Sequence, residues 1–73
     1  MKKLKSLTIF FPFYNDEGTV ARQIHLAYTV GKRAAHDLEV IAIHGGPSTD
    51  KTRQKIFEMQ RIYPDLKIIN FIE

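Results

Sequence analysis

The sequence predicts an α/β domain, a three-stranded parallel βαβαβ unit that forms half of a Rossmann-like sheet. Three observations predict it. Runs rich in β-branched and aromatic residues recur three times, segments with helical apolar spacing lie between them, and turn-forming residues cluster at the junctions. Strands that alternate with helices specify parallel pairing through right-handed crossovers.

The first run, Ser6-Leu7-Thr8-Ile9-Phe10-Phe11, is nearly continuous rather than alternating, so it reads as a strand buried on both faces. Pro12 closes it by withholding an N–H from the ladder. Tyr14-Asn15-Asp16-Glu17-Gly18 is then a loop. A helix is expected to begin between Glu17 and Thr19 and to run to about Ala35. Val20, Ile24, Ala27 and Gly31 recur at three- and four-residue steps, with Tyr28 and Ala34 beside them, while Arg22, Gln23, Lys32 and Arg33 fall mostly off the stripe. The two late cations, Lys32 and Arg33, complement the negative end of the helix dipole. Gly31 is less favourable than alanine by about 1 kcal/mol, which leaves room for a break there.

Leu38-Glu39-Val40-Ile41-Ala42-Ile43 is the second buried strand, followed by the loop His44-Gly45-Gly46-Pro47-Ser48-Thr49. Thr49 or Asp50 is the expected cap of a second helix that runs to about Arg61, with Ile56, Met59 and Tyr63 on its inner side. Pro64-Asp65 makes a turn, and residues 66–72 form the third strand. Lys67 and Asn70 make that strand the least apolar, which suits a place nearer the sheet edge.

Composition bounds the function. With 73 residues the chain is one domain over 1–73, and because it stops directly after a strand it reads as a partial one. An apolar share of 44% and a charged share of 26% describe a folded chain rather than a disordered one. No cysteine is present, so disulfides and thiolate metal sites are excluded; this fits a reducing compartment, and a cytoplasmic location is expected. The net charge of +3 is scattered along the chain, without the dense basic stripe and interleaved aromatics of a nucleic-acid surface. A mildly positive surface favours phosphorylated ligands. No segment approaches the roughly 18 apolar residues of a membrane span. Met1-Lys2-Lys3-Leu4-Lys5 looks like a signal-peptide start, yet the apolar stretch at 7–13 is short and holds Pro12, so a solvated terminus is expected. His25, His36 and His44 lack the spacing of paired metal ligands.

In open α/β sheets ligands bind beyond the carboxyl ends of the strands, where residues 12–18 and 44–50 lie. Both loops lead into helix N-termini, whose free N–H groups suit anions. Phe10-Phe11-Pro12-Phe13-Tyr14-Asn15-Asp16-Glu17-Gly18 resembles the opening of family 2 glycosyltransferases, in which a buried strand runs into Pro-x-Tyr-Asn-Glu. The double-Phe form is most similar to the branch that moves sugars onto polyprenyl phosphates. After the second strand the family writes Asp-Asp-Gly-Ser-x-Asp-x-Thr, and Ser48-Thr49-Asp50-Lys51-Thr52 resembles its second half.

The resemblance implies a GT-A sheet that binds a nucleotide-sugar donor. The site residues it implies are Pro12, Phe13, Tyr14, Asn15 and Glu17 in the first loop and Gly46 and Asp50 in the second. Phe13 and Tyr14 would flank the base, and Asp16 or Glu17 would contact base or ribose. An aromatic face stacks while a carboxylate accepts hydrogen bonds, so the residue types suit that task. The same residues have plainer roles open to them. Tyr14 can pack on the sheet end, Glu17 can favour the helix N-terminus, Asp50 can cap a helix, and His44 can be either structural or a donor to phosphate. Gly45-Gly46-Pro47 stands where the family carries its acidic pair and glycine. The family's magnesium or manganese and its catalytic base belong to later segments, so no cofactor, no metal ligand and no catalytic residue are expected in this chain. Two alternatives stand beside this reading. Gly45 to Thr52 is a near miss to a phosphate-binding loop, spoiled by Asp50 in place of its second glycine. A non-enzymatic truncated domain would instead act through self-association, pairing as a homodimer along the edge of its first strand.

Overall fold

β-Branched and aromatic residues favour extended backbone, and three such runs zip into one parallel sheet. The computed structural model describes residues 2–15, 17–45 and 51–71. Its elements are β1 (Leu4–Phe13), α1 (Val20–Ala34), β2 (Ala35–Gly45), α2 (Thr52–Ile62) and β3 (Lys67–Phe71), and the sheet order is β1-β2-β3. Both strand pairs are parallel, with Ile9 opposite Val40, Phe11 opposite Ala42 and, in the second pair, Ala42 opposite Ile68. This is the βαβαβ unit that the sequence predicts.

Side chains alternate between the faces of a strand, so one row of this register faces the helices and the next faces away. The helix-facing row supplies Phe13, Val40 and Ala42 to a core with Val20, Ile24, Ala27 and Tyr28 of α1 and Ile56 and Met59 of α2. Ile9, Phe11, Leu38 and Ile68 pack around it half-buried. The opposite row is different. The Thr8 hydroxyl donates to Glu39 Oε1 at 3.2 Å, and the Lys67 ammonium bonds to Glu39 Oε2. Further along the same row Phe10 is 62% exposed, with Ile41 and Ile43 half-buried beside it and Ile69 exposed. The expectation that the first strand is buried on both faces is therefore corrected: β1 is covered on one face only. The reason is topological. Two right-handed crossovers that step the same way, from β1 to β2 to β3, put both helices on one side of the sheet.

Local chemistry adjusts several boundaries. The first helix starts at Val20, with Thr19 at the N-cap and its carbonyl accepting from Gln23 N–H at 2.9 Å. The helix passes through Gly31 without a break and turns directly into β2 at Ala35, whose amide still donates to the Gly31 carbonyl. The second strand thus begins three residues before Leu38, where the sequence places its start. A Cβ built on Gly31 would lie 2.6 Å from Leu38 Cδ1, so the glycine lets α1 seat closely on β2. The N-cap position of α2 is Lys51, not Thr49 or Asp50, both of which lie outside the described residues. Leu66 is buried in the core ahead of β3 rather than part of it, and Gln60 Nε2 donates to its carbonyl at 2.9 Å.

One aromatic cluster ties the helices to the last turn. The rings of Tyr28 and Tyr63 stack at 4.0 Å and 4°, the Tyr28 hydroxyl donates to Asp65 Oδ1 at 3.0 Å, and the Tyr63 hydroxyl meets His25 Nδ1 at 2.5 Å. Burial, followed by the bond to Asp65 and the nearby Asp65 charge, pushes the Tyr28 phenol far above its ordinary value.

Two predictions follow from this packing. Gly31→Ala gains about 1 kcal/mol of helix propensity but presses on Leu38, whereas in a Leu38→Ala background the gain stands alone. A double-mutant cycle by urea unfolding is expected to give a coupling of about 1 kcal/mol, and strict additivity would refute the close approach. The raised Tyr28 value contributes stability that is complete below about pH 10, the ordinary phenol value, and is lost as pH rises through the folded-state value. Tyr28→Phe should therefore be less stable at pH 8 by about 1 kcal/mol, and the gap to the parent chain should close as the pH is raised beyond 10; a pH-independent gap would remove the titration from the account.

Candidate functional site

The carboxyl ends of β1 and β2 finish level, Phe13 being opposite His44. Strand alternation decides what each residue there presents. Phe13 falls on the helix-facing row, only 4% exposed, with its ring stacked on Phe11 at a centroid distance of 5.7 Å. Its side chain belongs to the core. Tyr14, the next residue, leaves the strand and is 55% exposed. Pro12, on the other row, is exposed as well.

The chain then reverses toward α1. Asn15 has φ of 52°, in the left-handed region that asparagine tolerates better than most residues. That turn carries Glu17, Gly18 and Thr19 across the exposed rim into the start of α1. Tyr14, Asn15 and Glu17 each have an interaction partner. Of the residues expected at the site, Tyr14, Asn15 and Glu17 lie on one exposed turn, Pro12 is exposed in the last residues of β1, and Phe13 is buried beside it. Gly46 and Asp50 lie outside the described residues, as does Asp16.

On the β2 side, His44 is buried and engaged with a partner, and Thr52 in the first turn of α2 is fully buried and likewise engaged. Thr52 gives no signal in the sequence beyond standing near an expected helix start. Gly45 is informative in another way. A Cβ built there would meet nothing among the described residues within 4 Å, so beside them the end of β2 has room for a larger side chain.

Among the described residues, a concavity lies elsewhere. A cavity of about 430 Å³ sits near the start of β2, at the opposite end of the sheet, lined by Lys3, Tyr28, Lys32, His36, Asp37 and Asp65 among others. Its charges are of both signs, and its polar groups bond to each other: Lys3 Nζ donates to the Lys32 carbonyl at 3.1 Å and Tyr28 to Asp65. These contacts serve the end of α1, and we assign the cavity no ligand. Glu39, held below the usual carboxylate range by its bonds to Lys67 and then Thr8, lies on the bare sheet face, in mid-strand. Among the described residues no group of three or more His, Asp or Glu side chains is placed to hold a metal ion. Nor is any described helix long and apolar enough to cross a membrane.

No protein-family model, no curated protein and no solved structure matches this chain.

The turn at Asn15 generates a prediction. Asn15→Ala is expected to cost about 1 kcal/mol, because alanine keeps the Cβ that crowds the carbonyl in the left-handed region but lacks the amide whose local bonding offsets it, while Asn15→Gly, which removes the crowding, should be near neutral. Thermal unfolding of both variants checks this, and equal losses would mean that the side chain of Asn15, rather than its backbone, holds the turn.

Proposed function

We propose that this chain is the nucleotide-sugar-binding portion of a family 2-type glycosyltransferase. The observation that carries the reading is the exposed turn of Tyr14, Asn15 and Glu17 at the carboxyl end of a parallel strand, directly ahead of a helix. It is the location at which open α/β sheets receive ligands, and its residues are those of the Pro-x-Tyr-Asn-Glu resemblance.

In this reading the Tyr14 ring stacks on the base, and Glu17 and Asn15 bond to ribose hydroxyls or base N–H groups. Phe13 acts from below, fixing the strand end so that Tyr14 points outward. Pro12 does not close the strand as the sequence suggests: the ladder runs on to Phe13, opposite His44, and Pro12 stands exposed one residue before the strand end. Gly46 and Asp50 are assigned to the donor through the sequence resemblance alone. With Gly45 and Gly46 in place of the family's acids, the base loses carboxylate partners, so affinity is expected to be weak, in the millimolar range. The family's cation has no ligand set among the described residues.

An amide NMR titration with uridine and guanosine diphosphates, with and without magnesium, tests the reading. Saturable shifts are expected at residues 13–17 and 44–51. Tyr14→Ala should weaken binding by about tenfold, the lower part of the range for losing one base–aromatic stack. Gly45→Asp, for which there is space, should tighten it while leaving the thermal midpoint nearly unchanged. Absence of saturable shifts from a folded sample, or shifts confined to the cavity beside His36, would overturn the proposal.

A further inference from the structure

Two contacts that the nucleotide reading does not use converge on one tyrosine. Tyr63, directly after α2, packs half-buried against the core, and its hydroxyl lies 2.5 Å from Nδ1 of His25 on α1. Its ring is stacked on that of Tyr28, one helical turn beyond His25, at 4.0 Å and 4°. This phenol therefore has a base at its proton and a second phenol against its face. All three residues belong to the helical layer, so the contacts do not turn on what borders the sheet.

We propose that Tyr63 is a one-electron redox site, which on oxidation passes its phenolic proton to His25 Nδ1 and becomes a neutral tyrosyl radical. The electron goes to an outer-sphere acceptor, a metal complex of high potential, which is reduced by one electron. The O–H bond of Tyr63 breaks and an N–H bond forms at Nδ1 of a neutral His25 whose resting proton is on Nε2. His25 leaves the step as imidazolium, and return of one electron to Tyr63 brings the proton back. Outer-sphere transfer needs proximity and no seat for the acceptor.

Composition and surroundings select Tyr63. The sequence holds no tryptophan and no cysteine, so its phenols are the side chains that give up an electron most readily. Tyr28 is the rival within the stack. Its hydroxyl donates to Asp65, and burial together with that bond holds its proton far above the ordinary phenol range. A carboxylate is also ordinarily a weaker base than an imidazole, by about two to three orders of magnitude. The Lys32 ammonium, 5.8 Å from the centre of the Tyr28 ring, further opposes positive charge there. Tyr28 acts instead as the electron-rich face against which the charge passing through Tyr63 is stabilised.

The inference is independent of the nucleotide reading, since the two share no residue. Freeze-quench electron paramagnetic resonance of the 73-residue chain oxidised by hexachloroiridate should show a neutral tyrosyl radical. Tyr63→Phe should remove most of that signal and slow consumption of the oxidant, whereas Tyr14→Phe should leave both nearly unchanged. His25→Ala, at an exposed position, should slow the oxidation by about a hundredfold, the lower end of what a positioned proton acceptor contributes. Imidazole added to the buffer should then restore part of the rate, which a purely structural role for His25 would not allow; circular dichroism checks that each variant is folded. A radical that persists in Tyr63→Phe, a signal lost instead in Tyr14→Phe, an unchanged rate in His25→Ala, or a loss in that folded variant that imidazole fails to repair would each overturn the proposal.

Discussion

Both crossovers of this chain step across the sheet in the same direction, and the rest of the structure answers to that constraint. Right-handed connections from β1 to β2 and from β2 to β3 leave α1 and α2 on one face. All the burial available to a chain of this size must then be found in a single interlayer seam. Val40 and Ala42 at the centre of β2 face Val20, Ile24 and Ala27 of α1, and Ile56 and Met59 of α2 complete the layer. A seam so thin gains from close approach, which is what Gly31 allows where α1 crosses Leu38. The Tyr28–Tyr63 stack and the Tyr28–Asp65 bond then fasten the helical layer to the turn that leads into β3.

The same constraint explains which parts of the fold were legible in the sequence. Element order, the stripe of α1 and the inner side of α2 follow from spacing within one segment, and residues such as Ile24 and Ile56 fall where the periodicity puts them. Burial on both faces of a strand is a property of the whole topology. A continuous apolar run such as Leu7 to Phe11 has the same composition whether one face or two are covered, so the exposed Phe10 had no local signal. The junction at Ala35 was hidden for a different reason. The chain passes from helix to strand with no loop between them, and no glycine or proline marks the place. At the second helix, Lys51 in the cap position is a residue type that capping preferences do not single out.

At the carboxyl edge, a period of two separates residues that look alike in sequence. Phe13 and Tyr14 are adjacent aromatics, and either is a reasonable partner for a base. Continuing the β1 alternation sends Phe13 into the core beside Phe11 and leaves Tyr14 to the surface. The sequence motif names both; the parity of the strand assigns them different physical tasks. Gly45 carries the complementary lesson. Among the described residues no atom would meet a Cβ there, so packing against them does not account for the glycine.

The sheet leaves two kinds of surface uncovered, and they differ in how well water can satisfy them. On the bare face, Thr8, Glu39 and Lys67 bond across all three strands, giving that face a polar ladder that water solvates readily. Beside that ladder, Phe10 and Ile69 stand exposed on the same face. On the β1 edge the groups left over are backbone donors and acceptors in a fixed linear array, and a second strand answers such an array in register as water does not.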